Sequence, residues 1–419
     1  MHSFYKFLTV VFAPFLKLYF YSRCLYGKDK YESVKNHFGV ATVKRPEGKL
    51  MWVHAVSIGE SAAALTYIKH VKKLYPNINV LITTTTVTSA DILAPKIAQI
   101  DGCYHQFAVV DNPFWVKKFL DYWKVDVAMF LESEIWPNII YELHSRKIPT
   151  YLLNARLSPR SFARWKLLKT LFANTISKFS AILAQSKLDK ERFAFFSPTN
   201  TFQTDNLKYA NAVLPVNEAL FGIFRHICAG KKVFVAASTH EKEEEIILAA
   251  HKQLKEQFDI VTIIIPRHLT RVKNICALLN RSGLSYALRS QTTEDTKAEI
   301  FCIDAFGEVG TFFALADVCF VGGSLVPIGG HNIYEPIASG KPVLHGSYMA
   351  NALEVRDFLH REKVAFEVQN ADDIAELCTK IFTDKKFAQQ LSERIKNLSK
   401  NDALLQIDKI VKLKNIFGN

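Results

Sequence analysis

The sequence predicts an α/β protein of two Rossmann-like domains preceded by an N-terminal membrane-anchoring segment. Three observations predict it. From residue 50 onward, short and nearly continuous apolar runs alternate with longer amphipathic segments, the pattern of parallel strands covered by helices on both faces. The alternation restarts after about residue 215, and 419 residues suffice for two domains of ordinary size. An apolar, aromatic stretch from Phe4 to Tyr21 precedes all of it.

That first stretch carries only Lys6 and Lys17 as charges and is followed by Arg23, Lys28 and Lys30. No convincing small-residue cleavage site marks it as a secretory signal. Pro14 interrupts it, and it is short for a clean spanning helix. Three readings stay open: a tight single span, an in-plane anchor rich in aromatics, and a buried first helix of the next domain. If it spans, the basic residues behind it place the rest of the chain in the cytoplasm. The expected division is an anchor at 1–30, a first domain at 31–215 and a second at 216–419.

In the first domain, Leu50–Val56 reads as a strand, and Ser61–Leu74 has helical spacing with no breaker before Pro76. Val80–Thr86, Val125–Leu131, Thr150–Leu153 and Ala181–Ala184 read as further strands. The segment Leu207–Glu218, with Pro215, reads as a linker. In the second domain the strands are Lys232–Ala237, Ile260–Ile265, Glu299–Ile303, Asp317–Val321 and Pro342–Leu344. Ser238-Thr239-His240-Glu241 has the pattern of a capping box for the helix that follows. Two such sheets bind ligands beyond their strand carboxyl ends.

Composition narrows the partners. The formal charge is +13, which favours a nucleic acid, an acidic membrane surface or a phosphorylated substrate. The basic residues are dispersed and no nucleic-acid motif accompanies them, so no nucleic-acid partner is expected. The seven cysteines are scattered and never spaced as Cys-x-x-Cys, which reads as buried reduced thiols in a reducing compartment. No His/Cys cluster has zinc-ligand spacing, and no Asp-x-Asp pair stands at a strand end, so no metal or cofactor is expected.

Several segments place chemistry at strand ends. Trp52 to Ser61 is a strand, a small-residue turn and a helix start, which sets Glu60 beside the positive end of the helix dipole. Spacing alone leaves Glu60 as either a helix-start carboxylate or a site carboxylate. Glu132 and Glu134 follow an apolar strand at alternate positions, where an extended chain points both to one side. They read as a functional pair or as two solvated loop acids. Asn154-Ala155-Arg156-Leu157-Ser158 offers an Arg at another strand end, where it reads as an anion contact or, taken alone, as a plain surface arginine in a loop. Pro266-Arg267-His268 ends a strand with a basic pair, and Gly322-Gly323-Ser324 ends the strand after Asp317. Gly329-Gly330 then leads through His331 into a helix bearing Glu335. Glycine-rich loops at helix starts bring N–H groups against a phosphate, although glycines also serve plain turns.

These blocks, in this order, resemble those of the Kdo transferases: His54 to Glu60, Glu132 to Asn138, Asn154 to Ser158, Ser238 to Glu241, Pro266 to His268, and Gly322 to Glu335. The resemblance runs from the N-terminal segment to about residue 350. It implies the two-domain GT-B glycosyltransferase architecture and inverting transfer of Kdo, an acidic eight-carbon sugar, from CMP-Kdo to a lipid A precursor. It implies Glu60 as catalytic base, with Glu132 and Lys208 stabilising the transition state. Lys208 is matched through Asn206-Leu207-Lys208, where Asp205 stands in place of the commoner Gly or Ser-like residue. It implies CMP contacts at Pro266 and Arg267, at Gly307, Glu308 and Val309, and at Asn332, Ile333, Tyr334 and Glu335. The implied partners are the CMP-Kdo donor, the lipid A precursor and the cytoplasmic membrane surface. Another GT-B enzyme using a UDP-sugar, a sugar epimerase of like architecture, and a non-catalytic nucleotide- or lipid-binding module are the competing readings.

Overall fold

The computed structural model describes every residue except 27, 28, 30, 211, 212 and 419. Lys28 and Lys30 of the expected anchor flank, and two residues of the expected linker, lie outside the described residues. The chain divides into two compact units: unit 1 comprises residues 1–210 and 401–419, and unit 2 comprises 211–400. This differs from the sequence-based division at the far end, where 401–419 had been assigned to the second domain.

Unit 1 holds β1 (Leu50–His54), β2 (Asn79–Thr84), β3 (Cys103–Phe107), β4 (Val127–Leu131), β5 (Thr150–Ala155), β6 (Ala181–Ala184) and β7 (Thr201–Gln203). They form one sheet in the order β3-β2-β1-β4-β5-β6-β7, and every neighbouring pair is parallel. β1 and β4 are buried at every position, which explains their unbroken apolar sequence. Strand order reverses between β1 and β4, so their carboxyl ends flank a crevice where α/β sheets bind ligands.

Unit 2 repeats the design with β8 (Lys232–Thr239), β9 (Ile260–Pro266), β10 (Tyr286–Leu288), β11 (Ile300–Cys302), β12 (Val318–Val321), β13 (Val343–His345) and β14 (Ala365–Glu367). Its order is β10-β11-β9-β8-β12-β13-β14, again all parallel. The reversal falls between β8 and β12. The α/β class and the two Rossmann-like sheets therefore agree with the sequence. The sequence missed β3, β7, β10 and β14. All four stand at sheet edges, and β7, β10 and β14 are three residues long, too short to show a period.

The returning segment belongs to unit 1 by packing. Its helix Ala403–Val411 buries Ala403, Ile407 and Val411 in the same apolar cluster as Met51 and Val53 of β1. Tyr151 donates its hydroxyl to the Val411 carbonyl at 3.0 Å, and His70 meets Asp408 at 2.7 Å. At the other end of the expected linker, Leu207–Tyr209 is a 3-10 turn with Leu207 and Tyr209 buried, so this stretch is part of unit 1.

The N-terminal segment forms two helices, His2–Val11 and Ala13–Leu25, bent by 51° at the break between them, with Pro14 in the first turn of the second. Among the described residues no single helix is long and apolar enough to cross a membrane; the bent pair meets that test only when taken together. Neither helix has a buried residue. One side is held to unit 1: the Tyr5 hydroxyl donates to Asp111 at 2.9 Å, Asn112 donates to the Thr9 carbonyl at 2.9 Å, and Asn138 donates to the Thr9 hydroxyl at 3.0 Å. The other side leaves Phe4, Phe7, Phe15 and Leu18 mostly exposed.

Candidate active site

In unit 1, three strand ends converge their acidic and basic side chains. The helix Ile58–Leu74 begins because Ser57 caps it, its hydroxyl oxygen accepting from the Glu60 N–H at 3.2 Å. The Glu60 carboxylate folds back, accepting from the Val56 N–H at 2.8 Å and from the Ser57 hydroxyl at 2.9 Å. The local capping pattern and the site position are thus the same structure. Each carboxylate oxygen keeps a further lone pair for a proton. Burial pushes the Glu60 carboxyl above the ordinary glutamate range, and the charges of Glu132 and Glu134 push it the same way; the Val56 and Ser57 hydrogen bonds oppose them.

Beyond β4 the chain does not continue extended. Glu132 adopts φ +52°, a left-handed conformation that costs a non-glycine residue roughly 1 kcal/mol or more. The turn separates the two acids that alternation placed together. Glu132 pairs with Lys208 at 2.8 Å. Glu134 instead accepts from the Trp136 indole at 2.7 Å and meets His54 Nε2 at 3.2 Å. Behind it, Thr83 bonds His54 Nδ1 and the Trp52 indole, each at 2.9 Å. Lys208 is fixed by its turn: Asn206 accepts from the Lys208 N–H at 3.0 Å, and Asn154 accepts from the Leu207 N–H at 2.8 Å. Asn154 is itself left-handed at φ +51°. Gly59 leaves room for the lysine, since a Cβ there would stand 3.4 Å from Nζ. The structure therefore brings Glu60, Glu132 and Lys208 to one strand-end surface at the β1/β4 reversal.

In unit 2, the expected capping box does not form. Ser238 and Thr239 belong to β8, Ser238 is left-handed at φ +56°, and the next helix starts later, at Glu243. Glu243 occupies the amides of the Gly322-Gly323-Ser324 turn after β12. Its buried carboxylate accepts from the N–H groups of His240 at 2.9 Å, Gly323 at 2.8 Å, Ser324 at 3.0 Å and Leu325 at 2.9 Å. Gly322 permits this approach, because a Cβ there would fall 2.6 Å from Glu243 Oε2. The amides after β12 are thus turned inward onto the protein's own carboxylate.

The remaining nucleotide candidates lie beyond the carboxyl ends of β9, β11 and β12. Pro266 closes β9, and the exposed Arg267 follows, its N–H bonded to the Thr239 carbonyl at 3.1 Å. Glu335 is the second residue of a short helix, Tyr334–Ala338, and so sits at its start. Burial raises its carboxyl above the usual range, against the Asn332 hydrogen bond at 3.1 Å and the charge of Arg267. Ile333 and Tyr334 are buried, and the Tyr334 hydroxyl donates to the Leu398 carbonyl at 2.8 Å, which leaves mainly their backbone to offer a ligand. Gly307 has φ +83° with open space around it, and Glu308 is clamped by Arg289, whose Nε donates at 2.7 Å. Val309 packs partly into the apolar core.

A family model described as 3-deoxy-D-manno-octulosonic-acid transferase (kdotransferase) matches residues 32–211. A 3-deoxy-D-manno-octulosonic acid transferase of Rickettsia bellii is 35% identical over 377 residues, covering 89% of each chain. The chain belongs to the Kdo transferase family. A Haemophilus influenzae member is 30% identical, over 84% of this chain and 83% of its own. Among solved structures, the C-terminal CMP-Kdo binding domain of WaaA from Acinetobacter baumannii aligns with 44% of this chain and all of its own, at 26% identity and a TM-score of 0.41.

Within this Kdo transferase family member, the Asp205 departure has a structural account. Asp205 accepts from the Asp402 N–H and from Gln406 Nε2, each at 3.0 Å, and its own N–H donates to Gln406 Oε1 at 2.7 Å. Asn401 adds a bond to the Asn206 carbonyl at 2.9 Å. A carboxylate at 205 therefore clasps the returning segment beside the Lys208 turn. Sequence reasoning missed Gln185, which receives amides from Asn154 and Asn206, and missed Glu243, hidden inside the acidic run Glu241 to Glu245.

Proposed function

We propose that this chain is an inverting GT-B glycosyltransferase that moves Kdo from CMP-Kdo to a lipid A precursor in lipopolysaccharide core biosynthesis. The observation that carries the proposal is Glu60, a buried carboxylate with an elevated proton affinity at the β1/β4 reversal, beside the Glu132–Lys208 pair. An acceptor hydroxyl attacking the anomeric carbon of Kdo must lose a proton, and Glu60 is suited to take it. Lys208, held by Glu132, balances negative charge on the Kdo carboxylate or the acceptor phosphates. Attack opposite the departing CMP inverts the anomeric centre. In unit 2, Arg267 attracts the nucleotide's phosphate, while Glu335 accepts from ribose hydroxyls. Incubation with CMP-Kdo and a tetraacylated lipid A precursor is expected to give a product heavier by one or more whole Kdo units. Transfer from UDP-GlcNAc with CMP-Kdo left intact would overturn the reading.

We further propose that the N-terminal helices lie in the cytoplasmic face of the inner membrane. The exposed Phe4, Phe7, Phe15 and Leu18 support an in-plane seat, and the net charge of +13 suits an anionic surface. Replacing these four residues by Ser leaves the Tyr5 and Thr9 contacts untouched. Sedimentation with anionic phospholipid vesicles is expected to fall at least roughly tenfold, given about 1.5–3 kcal/mol per buried aromatic or Leu side chain. Unchanged co-sedimentation would remove these helices from the membrane contact.

A further inference from the structure

Two imidazoles in unit 2 have been given no role. His240 follows β8 and His331 follows the glycine turn after β12, so they meet at the β8/β12 reversal. Their Nε2 atoms are 2.8 Å apart and their rings lie within 9° of parallel. At that distance one hydrogen must lie between the nitrogens, one ring donating and the other accepting. The position is built, not incidental. Glu243 holds the His240 N–H at 2.9 Å, and through Gly323 it holds the loop whose carbonyl accepts from the Gly330 N–H at 2.7 Å. Gly323, at φ +67°, lets His331 approach so closely that a Cβ there would meet its ring at 3.0 Å.

The charged surroundings are lopsided. Arg267 acts on His331, and the His268 ring stands edge-on to His240 with centroids 5.9 Å apart. Arg271 also faces His240, but it is matched by Glu244 at 2.7 Å. Glu243 lies close and its oxygens are taken up by backbone N–H groups. Glu335 is reached by Arg267 but is partly buried beside Asn332. Glu243 and Glu244 both favour a charged His240, but Glu243 is engaged by loop N–H groups and Glu244 by Arg271, which leaves Arg267 and His268 as the cations beside the pair.

We propose that His240 and His331 form a phosphate-binding pair that takes up one proton from solvent when a phosphomonoester docks against it. This rests on the donor side of the proposed function and goes beyond it, because neither histidine is among the expected CMP contacts. Without a ligand both rings are held below the ordinary histidine range: burial comes first for each, then Arg267 and the neighbouring histidines for His331, while at His240 the charges of Glu243 and Glu244 oppose burial and His268 and Arg271 add to it. His331 is pulled down to about 4. An anion reverses those charge effects and favours one imidazolium bonded to one imidazole. The sign follows: affinity for the phosphomonoester rises as pH falls through and below the pKa of the occupied pair. The gain ends where the empty pair itself becomes protonated. A glycosyl nucleotide carries one charge on its phosphate, and the released nucleotide gains a second as the sugar–oxygen bond breaks. The pair then grips the leaving group more tightly than the donor.

The test is calorimetric titration of the full chain at neutral pH in two non-phosphate buffers of different ionisation enthalpy, with CMP, cytidine and inorganic phosphate as separate ligands. CMP is expected to bind with uptake of up to one proton, and cytidine with none. His331→Gln and His240→Gln are each expected to abolish the uptake and weaken CMP roughly ten- to hundredfold, leaving cytidine binding as the check that the fold survives. CMP binding without proton uptake, or uptake unchanged in both variants, overturns the pair and leaves the donor reading standing. If CMP does not bind at all, the donor reading fails, and inorganic phosphate decides the pair: proton uptake that the variants lose supports it, and no uptake overturns it.

Discussion

Glu60→Gln is expected to lower transfer by roughly a hundred- to ten-thousandfold, the usual weight of a general base, while leaving the melting temperature nearly unchanged. Glutamine can still accept the Val56 N–H through its oxygen, and its amide can turn to the Ser57 hydroxyl, so the cap survives. What it cannot do is take a proton at neutral pH. If Glu60 served only the helix start, the same change would cost about 0.3–1 kcal/mol of stability and little turnover. The pH profile gives a second reading. A base must be deprotonated, and burial with two neighbouring carboxylates raises the proton affinity of Glu60. The wild-type rate should therefore fall with acidification at a pH above the ordinary glutamate range, and that limb should vanish in the variant's residual rate. Normal turnover in Glu60→Gln would return the residue to capping alone and move the search for a base to Glu132 or Glu134.

Glu243→Ala is expected to destabilise unit 2 by about 3–5 kcal/mol or more. Four backbone N–H groups lose their acceptor together, and a buried unpaired donor costs about 1–3 kcal/mol. Glu243→Gln should rescue only part of this, because one of its two polar atoms is then a donor facing donors. Glu241→Ala, two residues away and exposed, serves as the control and should stay within about 0.5 kcal/mol. Calorimetric melting separates the outcomes, since the transition assigned to unit 2 should move and that of unit 1 should not. Equal melting of Glu243→Ala and Glu241→Ala would show that the loop amides find other partners.

The sequence made the class legible where burial is two-sided. β1, β4, β8, β9 and β12 are apolar almost throughout because both faces of each sheet are covered, and unbroken apolar runs are easy to read. It made the acids at strand ends legible for the same reason, since a charge at the end of such a run stands out. What it hid was backbone shape. Nothing in Leu131-Glu132-Ser133 announces a left-handed glutamate, so alternation placed Glu132 and Glu134 on one side when the turn parts them. Ser238 matches a helix cap by spacing, yet a strand continues through it with φ +56°. Glu243 and Glu241 are equivalent by composition, and only the fold decides which one is swallowed by the loop amides. The returning segment 401–419 has an ordinary amphipathic sequence, and its allegiance to unit 1 depends on contacts some two hundred residues back in the chain.

That return has a consequence for the order of assembly on the ribosome. Unit 2, residues 211–400, is spliced into unit 1, and every residue of unit 2 is made before 401–419. It can therefore complete its sheet while unit 1 still lacks the helix that covers Met51 and Val53. The late segment is also the one that pins Asp205 and Asn206, three and two residues before Lys208. The lysine turn is thus the last part of the candidate site to be braced, and a nascent chain holding both sheets would remain without a settled Lys208. Lesions or fusions placed near residue 402 should accordingly act on the chemistry of the N-terminal half, far from it in the linear chain.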